Sequence, residues 1–157
     1  MILRPGRILV VAVAVAASVA AGMSLSRADA PPGRYTMTSS AVYDTATGLT
    51  WERVPAATMY SFTQAQTYCA DLYTPDFSDW RLPSIKELET LVDESRSSPT
   101  MDLTAFPGAP STYVWSGTPI EARLGGQHWV LYFKTGVTAF EKSGQVTVSS
   151  AYVRCVR

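Results

Sequence analysis

One histidine and two cysteines are all this chain holds of the side chains that build zinc sites and most redox centres. A four-ligand zinc centre cannot readily be drawn from such a set, and no cofactor is expected. Basic residues show no surplus, with thirteen Lys plus Arg against thirteen Asp plus Glu. The electrostatic footprint of a nucleic-acid binder is therefore missing, and nucleic acid is not an expected partner. No apolar run reaches the roughly twenty residues that carry a helix across a bilayer. Neither an internal repeat nor a heptad pattern recurs, which excludes solenoids and coiled coils. A length of 157 residues leaves room for one domain with a real core and none for a second.

What is present begins with Arg4 and Arg7 ahead of an apolar run from Ile8 to Ala21. That order matches the charged and apolar regions of a secretory signal peptide, expected over residues 1–30. Ala28-Asp29-Ala30 has the small-x-small form of a cleavage site, although Pro31 is an awkward residue after the cut; Val19-Ala20-Ala21 is the alternative. No cysteine follows the apolar run, so a bacterial lipid anchor is not expected. Removing this leader takes Arg4, Arg7, Arg27 and Asp29 and leaves ten basic and twelve acidic side chains. No stable membrane span then remains, and the expected location is secreted or periplasmic. There Cys69 and Cys155 meet an oxidising compartment, and two cysteines allow one bridge. Closing a loop between those positions would restrict the unfolded chain by roughly 4 to 5 kcal/mol. That is a large share of a typical domain stability of about 5 to 15 kcal/mol. A reactive thiol would need a nearby cation, and no Lys, Arg or His adjoins Cys69.

Residues 31–40 read as a linker and residues 41–157 as the domain. Ala41-Val42-Tyr43-Asp44 and Leu49-Thr50-Trp51-Glu52-Arg53 predict two strands, and Thr45-Ala46-Thr47-Gly48 has the length and glycine of a hairpin loop. Ser61 with Gln64 and Ser84 with Glu87 are capping boxes, each of which starts a short helix. Phe62, Ala65, Cys69 and Leu72 form the apolar stripe of the first, and Ile85, Leu88, Leu91 and Val92 that of the second. Pro83 keeps Leu82 extended, so the second helix cannot begin earlier. Ser95 to Thr112 turns to Ser, Pro, Thr and Gly, which predicts a long structureless loop, functional or mobile. Tyr113-Val114-Trp115-Ser116 resumes an extended pattern. Trp129, Leu131 and Phe133 then alternate on one side of a strand from His128, and Lys134-Thr135-Gly136 turns into Val137-Thr138-Ala139-Phe140. A Lys142-Ser143-Gly144 turn leads to a final strand, Tyr152 to Arg157. Trp80, Trp115 and Trp129 are expected in the core.

Five stretches taken together resemble the Lcl C-terminal-like domain family, also known as domain of unknown function 1566. They are Asp44 to Arg53, Tyr68-Cys69, Asp79 to Leu88 with its Trp-Arg-Leu-Pro core, Trp115-Ser116-Gly117-Thr118, and Val153 to Arg157. The resemblance implies an α+β, C-type-lectin-like fold with two short helices, a small mostly antiparallel twisted sheet, a long loop region and one disulfide. The first-helix to last-strand bridge of that fold falls on Cys69 and Cys155. The named member is a bacterial surface adhesin whose C-terminal domain binds sulfated polysaccharide. The implied function is an exported recognition module for a cell-surface polysaccharide or protein, the alternative being a structural subunit of an envelope assembly. This chain lacks the adhesin's collagen-like repeat, and its charge after leader removal is slightly negative.

Lectin calcium sites use Glu-Pro-Asn or Gln-Pro-Asp with Trp-Asn-Asp, and none of these occurs. Asp76, Asp79 and Asp102 read instead as loop and turn carboxylates, and no metal is expected. Ser116 and His128 lack the spacing of a nucleophile and its base. The fold's formylglycine-generating enzymes use a redox cysteine pair, but the pair here occupies the structural bridge, so no enzyme is expected. Binding is expected from the loops between Ser95 and Gln127 and the strand that follows. Arg96, Arg123 and His128 are candidate contacts to an anionic group, and Tyr113 and Tyr132 are candidates to stack on a sugar ring.

Overall fold

The computed structural model describes residues 31–120, 127–140 and 148–157. The expected leader, Arg123 and the Lys142-Ser143-Gly144 turn lie outside them. Eight elements follow in order: β1 (Tyr35–Met37), β2 (Ala41–Asp44), β3 (Thr50–Glu52), α1 (Phe62–Asp71), α2 (Ile85–Glu89), β4 (Tyr113–Pro119), β5 (His128–Tyr132) and β6 (Val137–Phe140). They form an α+β domain with two three-stranded antiparallel sheets, β1-β2-β3 and β4-β5-β6, where one sheet is expected from sequence.

Local signals place most elements where the sequence predicts them. The β2–β3 hairpin pairs Val42 with Trp51, and its loop closes on Gly48 at φ +73°. Both helices start on complete capping boxes. Ser61 and Ser84 accept from the third helical amide, while Gln64 and Glu87 accept from the cap amide. The α2 start gains a further acceptor, since Thr118 Oγ1 on β4 takes the Ile85 amide at 2.9 Å. Gly136 ends the β5–β6 turn at φ +75°, and a Cβ there would stand 2.8 Å from Val92 Cγ1. Only glycine satisfies both the dihedral and the close approach.

Three expectations change. Residues 31–40 are not merely a linker: Tyr35–Met37 pairs with β2, and the Arg34 guanidinium makes a two-pronged contact with buried Asp44 at 2.9 and 2.7 Å. The loop from Ser95 to Thr112 is ordered by the core it enters. Met101, Ala105 and Phe106 are fully buried, and the Thr100 amide donates to the Phe133 carbonyl at 2.7 Å. The last segment is no regular strand. It bridges Tyr60 through Ala151, Val114 through Tyr152, and both Trp51 and Arg81 through Val156. Because it changes partners every few residues, it builds no continuous ladder, yet it ties the two sheets together.

The core has two halves. Trp51, Leu88, Leu91, Met101, Phe106, Leu131 and Phe133 fill one, and Ala65, Cys69, Trp80, Trp115, Val130, Val153 and Cys155 fill the other. Leu131 and Phe133 share one face of the second sheet as predicted, but Trp115 and Val130 bury the opposite face as well. Trp80 and Trp115 are buried, whereas Trp129 is only half-buried against the first half.

Candidate functional site

The residues named from sequence do not converge. Tyr113 and Tyr132 are cross-strand neighbours with ring centroids 4.6 Å apart. His128 starts β5 and stacks on Phe62 of α1 at 3.3 Å. Arg96 lies across a separate cleft of about 410 Å³ shared with Glu94, Thr100 and Lys134. Its Nε is 2.9 Å from Asp93, which is nearly buried and also accepts from the Ser95 amide. Burial alone would raise the Asp93 carboxyl, but the bonds from Ser95 and Arg96 outweigh it and hold it below the usual range. Arg96 is thus half of a structural ion pair. The same holds for Arg34 with Asp44, Arg81 with Glu87 and Arg157 with Asp79. Arg154 is buried, donates to the Glu52 and Arg53 carbonyls and lies over the Phe106 ring at 4.9 Å. Most described arginines therefore serve the fold, which argues against a basic surface built for anions.

Ser116 and His128 are likewise engaged elsewhere. Ser116 is buried, donates to the Trp129 carbonyl at 2.7 Å and accepts the Thr118 amide at 3.3 Å. Among the described residues no three His, Cys, Asp or Glu side chains gather as a metal site. Asp79 takes Arg157, and Asp102 caps the Thr104 amide at 2.8 Å.

A cleft of about 510 Å³ runs along α1 and is not legible as a site from the sequence. Ser61 starts α1 so that Ala65 and Cys69 face inward. Gln64, Thr67, Tyr68 and Asp71 follow the i, i+3, i+4, i+7 spacing and make a second stripe beside the buried one. Tyr60 before the helix and Tyr73 after it close the two ends of the cleft. Tyr60 is fixed by two backbone bonds with Ala151, at 2.9 and 3.0 Å, and its carbonyl accepts the Trp115 indole N–H at 2.8 Å. Tyr60 and Tyr68 rings lie 5.5 Å apart and inclined by 31°. Tyr73 is 76% exposed and Asp71 is exposed too. Asp71 is the only charged side chain of the lining among the described residues.

Tyr68 is held from behind. Its hydroxyl donates to Glu52 Oε1, and Glu52 Oε2 accepts the Cys155 amide at 3.0 Å. Burial pushes the Glu52 carboxyl up against those two bonds. Burial, then the bond to Glu52, push the Tyr68 hydroxyl above the ordinary tyrosine range, so it stays a proton donor. The cleft thus combines a fixed aromatic wall, an exposed aromatic at its end, and amide, hydroxyl and carboxylate groups within hydrogen-bonding reach of whatever lies there.

Cys69 and Cys155 form the expected disulfide, with Cα atoms 5.5 Å apart, just beneath this helix. No helix among the described residues is long and apolar enough to cross a membrane. The bridge fits an extracytoplasmic protein. A search of curated proteins and a search of solved structures each return no match to this chain. The family model described as Lcl C-terminal domain matches residues 40–157, from the edge of β2 to the last residue, and the chain belongs to that family.

Proposed function

We propose that this chain is an exported, non-catalytic recognition module of C-type-lectin-like architecture that holds a polysaccharide in the cleft along α1. The observation that carries this reading is the cleft itself, where Tyr60, Tyr68 and Tyr73 alternate with Gln64, Thr67 and Asp71. The C–H face of a pyranose ring packs on an aromatic ring, while its hydroxyls need both donors and acceptors. This lining offers both. Two helices, two small sheets and a bridge from the first helix to the last segment support the lectin-like reading of the fold. The cleft also accounts for binding better than the loop after α2, because Phe106 and Met101 anchor that loop in the core and Asp93 occupies Arg96.

The test is a glycan array probed with the secreted chain, followed by titration of whichever polysaccharide binds. Tyr73 is exposed, so Tyr73→Ala should leave the fold intact and weaken binding by about two- to tenfold, the worth of one aromatic contact. Unchanged affinity in Tyr73→Ala would remove the cleft from consideration. Stoichiometric co-purification with one envelope protein, and binding to no glycan, would favour the subunit reading instead.

A further inference from the structure

We propose that the α1 cleft selects glycans with unsubstituted amino groups, and that Asp71 is the residue that discriminates; this rests on reading the cleft as the polysaccharide site. Its charge points one way. Among the described residues the lining has one carboxylate and no cation, and it includes three tyrosine rings, whose faces carry a negative quadrupole. Asp71 is also the last residue of α1, where the backbone carbonyls already concentrate partial negative charge, and no basic residue lies in that final turn. A carboxylate there opposes the helix dipole and costs the fold stability. Asparagine would fill the same place without that repulsion. Charge on Asp71, carbonyl partial charge and π-faces therefore sum to a negative pocket open to solvent, which suits an ammonium group and repels a uronate or sulfate.

The experiment compares oligosaccharides of glucosamine with their N-acetylated counterparts of equal length, titrated against the secreted chain at low and high salt. The amine form should bind about fivefold more tightly, with the preference shrinking as salt rises. Asp71→Asn should bring the two affinities within about twofold of each other and raise the thermal midpoint, since it relieves the helix end. Equal affinity in the unaltered chain, or a preference that survives Asp71→Asn, overturns the inference while leaving the cleft as a glycan site. Binding of neither oligosaccharide also overturns it, and the glycan array then decides separately whether the cleft holds another polysaccharide. Polylysine that outcompetes the amine oligosaccharide at matched charge also overturns it, in favour of a basic protein partner.

Discussion

Tyr68 shows how one residue serves core and surface together. Its ring walls the cleft beside Tyr60, while its hydroxyl reaches Glu52, which in turn accepts the Cys155 amide. The carboxylate is buried, so losing a donor leaves a desolvated oxygen unmatched. Tyr68→Phe should cost about 1.5–3 kcal/mol by urea unfolding, the range for a hydrogen bond to a charged group. Tyr73→Phe, an exposed position on the same cleft, should stay within about 0.5 kcal/mol. If the two variants lose equal stability, Glu52 is not the anchor. Nothing in the sequence pairs Tyr68 with Glu52, because they lie on a helix and a strand whose approach only the folded chain decides.

At the scale of elements, what the sequence revealed is what neighbours along the chain determine. The Ser61–Gln64 and Ser84–Glu87 boxes are complete within four residues, and both helices start there. The Thr45 to Gly48 loop is legible for the same reason, since a positive φ at Gly48 is a local demand. Elements defined by distant partners carry no such local signal. Met101 and Phe106 sit in a segment without periodicity, and their burial depends on Phe133 arriving from β5. The cleft went unseen because Gln64, Thr67 and Asp71 look like an ordinary solvated helix face until Tyr60 and Tyr73 are folded against it. Capping also has a pH signature. The Arg81 guanidinium holds Glu87 down from 4.5 to about 2, against burial and with help from Ser84. A folded-state value below the unfolded one contributes stability above pH 4.5 that is lost as pH falls through about 2. Glu87→Gln keeps the cap acceptor but does not titrate, so the thermal midpoint should fall less steeply with acid across that window. Part of the slope that remains belongs to Asp44 and Asp93. Burial would raise their carboxyls, but the bonds from Arg34 and from Ser95 and Arg96 keep them low. An identical acid limb in Glu87→Gln would show that the cap does not contribute.

For the whole molecule, the decisive feature is that the two sheets share no strand and are joined by a terminal segment without a ladder of its own. The Glu52 and Arg81 amides donate to it at Cys155 and Val156, and the Trp115 amide donates to it at Tyr152. Such single bridges are easily lost one by one, so something must hold the segment in place. Cys155 does this through α1, closing a sequence separation of 86 residues. A loop of that length restricts the unfolded chain by about 4–5 kcal/mol in the entropy model. The Cys69→Ala/Cys155→Ala variant should lose stability on that order in urea unfolding, and reduction of the unaltered chain should match it. Hydrogen exchange separates two causes. If the bridge acts mainly on the unfolded chain, all protected amides lose the same free energy. If it also pins the terminal segment, then Glu52, Arg81, Trp115 and Val156 lose protection beyond that shared amount, while the β5 amides of Val130 and Leu131 do not. The bridging pattern predicts the second result, and a uniform loss across both groups would contradict it.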